Sequence, residues 1–239
     1  MKRWRRDFFL VAAIGCGLFV LLTGAAMLLY PGGSHMNRAQ VGYSFTYNFL
    51  SDLGLRHTPN GQPNPVAGGL FFVALALAGL TLALFFIRFR RFYRRTLRQR
   101  VLSLIGTLLG VGAGISFIGV AFTPADIYRE AHVQFVMWAF SLFPLAVLCY
   151  TLVMAEGRAL QRGYTCVFLA FFGLLAGYYL LITQGPEFGT ANGYVIQTLG
   201  QKIIVYASIT AVCIVALGAW QKEKSEVGAV EQNRLPVSH

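Results

Sequence analysis

The chain has 239 residues, of which 56% are hydrophobic and 12% charged, and its mean hydropathy is +0.59, which excludes an ordinary water-soluble domain. A formal net charge of +11 would point to nucleic acid in a soluble protein, but here the basic residues border long apolar runs. The composition therefore indicates an integral membrane protein, and no nucleic-acid partner is predicted.

Six uncharged apolar runs follow one another along the chain. A helix needs about 20 mostly apolar residues to cross the hydrocarbon core of a bilayer. The runs that reach about this length are 8–30, 65–87, 101–122, 133–154, 164–182 and 203–220. They are continuous, whereas barrel strands would be short and alternating. The sequence predicts an all-α, polytopic membrane domain over residues 1–220, a six-transmembrane-helix bundle.

Basic residues lie mainly on one side of this predicted bundle. Sixteen of the twenty flank the N-terminal end, the second and fourth loops and the tail, which leaves Arg38, Arg56, Arg129 and Lys202 on the other side. Because cytoplasmic loops retain Lys and Arg, both termini are predicted to be cytoplasmic. The protein is expected to be multi-pass in a cell membrane, and its short loops favour a bacterial inner membrane. The polar tail 221–239 is predicted to be disordered.

Glycines recur at four-residue spacing in two of the spans. Gly106, Gly110 and Gly114 form such a stripe in the third span, and Gly173 and Gly177 form one in the fifth. Stripes of this kind let helices approach closely in lipid. Packing within one chain is the favoured interpretation, and a homo-oligomer held through the glycine stripes is the alternative.

The membrane interior holds few chemically active side chains. None of the six runs contains an ionisable Asp, Glu, Lys, Arg or His, which counts against a coupled transporter. The cysteines lack a C-x-x-C pair and lie inside the spans, at Cys16, Cys149, Cys166 and Cys213. They are predicted to be packing residues, so no disulfide, metal or cofactor is expected. Any site is therefore expected at the outer ends of the helices.

The first outer loop, residues 31–64, is too long for a simple turn, and loops of this length are often functional. Ser51 and Asp52 lie there among apolar neighbours, where an unpaired carboxylate would be costly. Either Arg56, one turn later, or the distant Lys202 is the expected partner of Asp52. The alternative for Ser51 and Asp52 is a structural helix cap.

The third loop begins Thr-Pro-Ala-Asp, which predicts that Asp126 caps the helix that follows. Glu130, one turn later, and His132, at the start of the fourth span, are not explained by this cap. Asp126 and Glu130 make a local negative site, for which Arg129, Lys202 or a metal would supply the positive charge.

The fifth loop approaches the sixth span through Gln201 and Lys202, so three outer loops contribute polar side chains to one side of the bundle. The sequence predicts that these side chains converge in a polar pocket at the outer leaflet, either binding lipid or holding one another. They are Ser51, Asp52, Gly54, Asp126, Arg129, Glu130, His132, Gln201 and Lys202.

Residues 48–54, Asn-Phe-Leu-Ser-Asp-Leu-Gly, resemble the Ser-Asp-Leu-Gly signature of an uncharacterised six-helix bacterial membrane family. More distantly, the chain is similar to damage-regulated autophagy modulators and to lipid-remodelling proteins that act on glycosylphosphatidylinositol anchors. The positions of His132 and of Gln201-Lys202 agree with the pattern, and the resemblance covers nearly the whole chain. It implies membrane lipids as partners. The polar site that it implies contains Ser51, Asp52, Gly54, Asp126, His132 and Lys202.

Three functions remain open from the sequence. The first is binding or remodelling of membrane lipid, for which Asp52 and His132 would be the only acid–base pair. The second is a non-catalytic scaffold or regulator whose outer charges are structural ion pairs. The third is an intramembrane hydrolase. A metal-dependent hydrolase would need several metal-ligating side chains, yet the chain lacks an H-x-x-x-H motif. No catalytic nucleophile is assigned.

Overall fold

Six long helices make up the protein, whose computed structural model describes residues 7–157, 159–186 and 190–232, with side chains up to residue 226. All six are long and apolar enough to cross a membrane, which confirms the predicted number of spans. In chain order the helices are α1 (Phe8–Leu28), α2 (Pro65–Phe89), α3 (Leu97–Phe122), α4 (Arg129–Glu156), α5 (Arg162–Gln184) and α6 (Ala191–Gln232).

Several helices extend beyond the apolar runs that predicted them. Helix α3 begins four residues early, where the Thr96 hydroxyl accepts a hydrogen bond of 3.2 Å from the Gln99 backbone N–H and caps the helix. Helix α6 begins at Ala191, well before the apolar run at 203. Polar residues at the membrane surface stay helical because the helix satisfies their backbone groups. Gln201 and Lys202 are therefore helical side chains.

The far end of α6 differs from the predicted disorder of 221–239, because the helix continues to Gln232. The reason is the Glu223 carboxylate, which is buried and contacts the guanidinium groups of Arg88, at 3.4 Å, and Arg91. A buried carboxylate without partners would be strongly destabilising. These ion pairs hold the extension against the end of α2. Residues 233–239 lie outside the described residues.

Glycines bring α2 and α3 into backbone contact. A Cβ atom on Gly114 would lie 2.5 Å from the carbonyl oxygen of Gly79, and a Cβ atom on Gly79 would lie as close to the carbonyl oxygen of Gly114. A Cβ atom on Gly110 would lie 2.2 Å from the Phe86 ring. Only glycine fits at these positions, so the predicted packing role of the third-span stripe is confirmed.

The glycine stripe of α5 behaves differently. A Cβ atom on Gly173 or Gly177 would meet no described atom within 4 Å, and both glycines are exposed. The prediction of packing within one chain is therefore wrong for this stripe, which faces away from the bundle. A homo-oligomer through Gly173 and Gly177 stays a prediction.

An aromatic cluster fills the half of the bundle nearest the arginine-rich loop. Phe86, Phe89 and Tyr150 are each 0% exposed, and the Tyr150 ring lies 5.3 Å and 5.2 Å from the other two. The Tyr150 hydroxyl is satisfied by Thr107, at 2.7 Å. Packed rings therefore fill the centre of the bundle in this half.

Candidate functional site

The first loop, residues 31–64, is an ordered layer over the end of the bundle opposite the arginine-rich loop, and we call it the roof. It contains a short 3₁₀ helix, Leu50–Gly54, and two isolated β-bridges. Its first turn requires glycine, since Gly33 has a φ of +81° and a Cβ atom there would lie 2.5 Å from the Asn60 backbone nitrogen. The loop therefore has a defined internal structure.

Asn48 is the centre of the roof and is 0% exposed. Its side-chain amide donates hydrogen bonds to the Gly33 carbonyl, at 2.9 Å, and to Asp52 Oδ2, at 3.1 Å. Its Oδ1 accepts hydrogen bonds from the Ser44 backbone N–H and from Gln40 Nε2, both at 3.0 Å. All four hydrogen-bonding positions of the side chain are thus used within the roof.

Helix α6 holds the roof from below through side chains one turn apart. The Thr198 hydroxyl donates to the Thr46 carbonyl at 2.6 Å, and Gln201 Oε1 accepts from the Leu50 backbone N–H at 2.7 Å. The first contact satisfies a loop carbonyl, and the second satisfies the N–H of the first residue of the 3₁₀ helix. The sixth helix and the first loop, which are distant in sequence, therefore form one unit.

Lys202 makes the third contact of α6 with the roof and is only 1% exposed. Its ammonium group donates to the Asn48 carbonyl and, at 3.2 Å, to the Thr198 carbonyl. The same nitrogen lies 5.6 Å from the centre of the Tyr43 ring and 5.2 Å from that of Phe45. Carbonyl oxygens and aromatic faces together replace the water that a buried ammonium loses.

Asp52 and Lys202 do not form the direct ion pair that the sequence predicted. Neither side chain takes part in any of the ion pairs among the described residues. Asn48 connects them instead, since its carbonyl accepts from Lys202 while its amide donates to Asp52. Arg56, the other expected partner of Asp52, points its backbone N–H at Asp126.

Burial raises the pKa of the Asp52 carboxyl above its ordinary value. The hydrogen bond from Asn48, the charge of His35, the Phe49 backbone N–H and the charge of Lys202 all lower the pKa, but they do not outweigh desolvation. The carboxylate accepts from Phe49 at 2.9 Å. Asp52 is therefore a buried acid whose neighbours only partly offset the cost of burying its charged form.

We expect the stability of the protein to depend on pH through Asp52. Because the pKa of Asp52 is higher in the folded than in the unfolded chain, its stabilising contribution is full below the unfolded pKa and is lost as the pH rises through the folded pKa. In Asp52→Asn the amide oxygen still accepts the two hydrogen bonds, but nothing titrates. Thermal unfolding of both proteins from pH 4 to pH 8 should show the variant gaining on the wild type as the pH rises. Parallel curves would contradict the pKa shift.

Gly54, the last residue of the 3₁₀ helix of the roof, lies very close to α2. A Cβ atom there would lie 2.8 Å from the Phe71 ring of α2, and the backbone of Gly54 does not have a positive φ. The role of Gly54 is therefore close packing. Glycine at this position lets the roof rest directly on α2.

The sequence predicted that Asp126 caps α4, but Asp126 instead fastens the roof to the third loop. Helix α4 begins only at Arg129, and the Asp126 carboxylate accepts the backbone N–H of Arg56, at 3.1 Å, and that of His57, at 2.9 Å. A carboxylate that accepts two backbone N–H groups makes strong, charge-assisted hydrogen bonds. Asp126 is therefore a structural clamp between the first and third loops.

The remaining residues of the predicted site do not join the roof contacts. His132 is buried, and its Nδ1 forms a hydrogen bond of 2.7 Å with the Thr123 carbonyl at the end of α3. Arg129 and Glu130 are exposed, and among the described residues they form no ion pair. The predicted outer residues thus separate into a roof cluster around Asp52 and Lys202, the Asp126 clamp, and a His132 contact between helices.

An apolar cavity of about 90 Å³ lies beneath the roof, inside the bundle. Helices α1, α2, α3, α4 and α6 contribute to its wall, whereas α5 does not. Apolar side chains make up most of the lining, among them Phe19, Leu75, Val120, Phe140, Val205 and Ile209. The cavity is therefore suited to hydrocarbon rather than to a solute that needs water.

Two polar side chains of the roof cluster border this cavity. They are Ser51 from the 3₁₀ helix and Gln201 from α6, while neither Asp52 nor Lys202 lines it. Among the described residues the Ser51 hydroxyl has no hydrogen-bond partner, and the Gln201 Nε2 has none either, because only its Oε1 is engaged. Uncommitted neutral hydrogen-bonding groups thus meet the apolar cavity directly beneath the roof.

Comparison with known proteins places this architecture in a family. The family model described as protein of unknown function (DUF998) matches residues 13–220, which include all six spans apart from the ends of α1 and α6. The chain belongs to the DUF998 family. No curated protein and no solved structure matches it.

The most important residues of this DUF998 protein that sequence reasoning missed are Asn48 and Thr198. Asn48 stands three residues before Ser51, and an amide inside an apolar stretch of a long loop was a usable signal of a buried hydrogen-bonding centre. Thr198 gave no such signal, because a threonine near a helix end is ordinary. The cavity itself is a property of five helices together and has no local motif.

Proposed function

We propose that this DUF998 protein binds or remodels a membrane lipid, holding an apolar chain in the central cavity and a polar group beneath the roof. The observation that carries the proposal is the apolar cavity bordered at one end by Ser51 and Gln201. Ligand pockets are typically apolar with a few polar groups that fix orientation. The proposed ligand therefore carries a neutral hydrogen-bonding group attached to hydrocarbon.

The depth of the cavity supports a chain-like ligand. Along α6 its lining extends from Gln201 to Val212, which is about 16 Å of helix at 1.5 Å per residue. On α1 it reaches Gly15 and Cys16, in the middle of that span. A hydrocarbon chain entering beneath the roof would thus extend toward the centre of the membrane.

The orientation that we propose puts the roof on the outer face of a cell membrane, with both termini cytoplasmic. The arginine-rich connection between α2 and α3 supports it, since cytoplasmic loops retain basic residues. A bacterial inner membrane stays the expected location. Ser51 and Gln201 would then meet a lipid of the outer leaflet, as the distant resemblance to lipid-remodelling proteins also suggests.

Binding is proposed without a catalytic residue. Asp52 and His132, the acid–base pair expected from the sequence, are engaged separately, the first by Asn48 and Phe49 and the second by Thr123. In the part of the chain that the structure describes, no group of three or more His, Cys, Asp or Glu side chains could hold a metal ion. The geometry therefore favours lipid binding over an intramembrane hydrolase.

A scaffold or regulator is the second candidate. It is favoured because the buried polar groups of the roof form their hydrogen bonds within the protein. Lys202, Asn48 and Asp52 are buried and hydrogen-bonded to one another or to nearby carbonyls. Such buried polar networks specify one arrangement without any ligand. In this case the cavity would hold no particular molecule, which separates the two candidates experimentally.

The experiment is native mass spectrometry of the purified protein, with extraction and identification of the lipids it retains. Ala78 lines the cavity on α2, so Ala78→Leu places extra carbon atoms inside it. Ala170 is exposed on α5, so Ala170→Leu is the matched control. We expect one lipid class to be enriched in the wild type and the control and lost in Ala78→Leu. Equal lipid content in all three proteins would favour the scaffold.

A further inference from the structure

A second cavity, an open cleft, lies at the arginine-rich end of the bundle, between the start of α5 and the stretch of α6 from Gly218 to Ser225. Its volume is about 690 Å³. One end of the cleft is closed by a tight contact between the helices, since a Cβ atom on Gly218 would lie 2.4 Å from the Tyr164 ring. Beyond this contact the two helices leave open space. This cleft is separate from the roof and does not depend on the function proposed for the first cavity.

Several side chains of the cleft can donate hydrogen bonds. Arg162 and Lys222 supply two positive charges, and Gln161, Gln221 and Ser225 supply neutral polar groups. These polar groups together can recognise a ligand with several acceptor oxygens, and apolar atoms make up the rest of the lining.

The positive charge of the cleft is largely uncompensated. Among the described residues Arg162 has no carboxylate and no hydrogen-bond partner. Lys222 has one partner, Glu226, at 3.6 Å, in a pair whose side chains are 40% and 54% exposed. Exposed pairs of this kind within one helix interact weakly. The cleft therefore keeps a net attraction for anions.

The cleft also lies between the ends of two helices that are long and apolar enough to span a membrane. Arg162 is the first residue of the fifth span, and Lys222 lies near the end of the sixth. Arginine and lysine at such positions bind anionic headgroups. We propose that the cleft between α5 and α6 binds a phosphate-bearing anion at the membrane surface through Arg162 and Lys222. The ligand is either the headgroup of an anionic phospholipid or a soluble phosphate compound.

The test is a titration of the full-length protein in detergent with phosphatidylglycerol, followed by native mass spectrometry. The double variant Arg162→Gln/Lys222→Gln should bind the first, most tightly held phosphatidylglycerol about 25-fold more weakly than the wild type. Each lost cation should weaken binding about fivefold, and the two effects multiply. Lys224→Gln is the matched control, because Lys224 lies two residues from Lys222 but packs over the Trp220 ring, outside the cleft. Arg162→Lys, which keeps the charge, should retain most of the affinity.

Inorganic phosphate distinguishes the two sources of the ligand. Displacement of phosphatidylglycerol by millimolar phosphate would assign the cleft to a soluble phosphate compound, whereas unaffected lipid binding would assign it to the headgroup. Wild-type affinity in the double variant would overturn the proposal, as would equal weakening in Lys224→Gln. Because all substituted side chains lie at the surface or partly exposed, unchanged thermal unfolding should confirm that each variant is folded.

Discussion

Replacing Asn48 by Ala should open the roof and lower the free energy of unfolding by about 3 kcal/mol or more, since it leaves several buried groups without partners. The Gly33 carbonyl and the Asp52 carboxylate lose a donor, and the Ser44 backbone N–H loses its acceptor. Hydrogen exchange of peptides from 31–64 should become faster, beginning at Ser44. Thermal unfolding of the same sample would report the loss of stability.

Asn37→Ala is the matched control for this experiment. Asn37 belongs to the same loop but is exposed, and its side chain accepts only the Ala39 backbone N–H, at 3.0 Å. Its replacement should change the unfolding temperature little. If Asn37→Ala and Asn48→Ala behaved alike, Asn48 would not be the centre of the roof.

Adding one methyl group at Gly114 should destabilise the bundle by about 1–3 kcal/mol, because overpacking at a backbone contact cannot be relieved by a side-chain rotation. The new Cβ atom of Gly114→Ala would lie 2.5 Å from the Gly79 carbonyl oxygen and 3.0 Å from the Ala83 Cβ atom. Helices α2 and α3 would have to separate. Thermal unfolding in detergent and the yield of folded protein measure this effect.

The opposite sign is expected for Gly17→Ala. A Cβ atom on Gly17 in α1 would meet no described atom within 4 Å, and alanine favours a helix over glycine by up to about 1 kcal/mol. This variant should be as stable as the wild type or more stable. Equal losses for Gly17→Ala and Gly114→Ala would contradict the close packing of α2 and α3.

The six spans could be predicted from sequence because the requirement is local. A span needs a long uncharged run, and the chain contains six of them. The outward direction of Gly173 and Gly177 could not be predicted in the same way. A stripe of small residues marks one face of a helix, but it does not say whether a neighbouring helix or lipid covers that face.

The sequence predicted that the polar side chains of three loops converge, and the structure brings only some of them together. Ser51, Asp52, Gln201 and Lys202 do meet where α6 supports the roof, but Lys202 contacts backbone and aromatic groups instead of Asp52. The failure at Asp126 has a different cause. Its local sequence favours a helix cap, yet backbone N–H groups 69 and 70 residues earlier in the chain are its partners. Local patterns do not reveal such tertiary competition.

The central claim is that a lipid chain occupies the cavity beneath the roof, and photolabelling tests it most directly. The protein in bilayer nanodiscs would be labelled with a lipid that has an uncharged polar head and a diazirine on its acyl chain, and the labelled peptides would be identified by mass spectrometry. We expect specific labelling of α6 between Gln201 and Val212 and of α2 around Leu75, competed by unlabelled lipid and reduced in Ala78→Leu. Labelling confined to outward-facing residues such as Leu169 and Leu174 of α5 would contradict the claim.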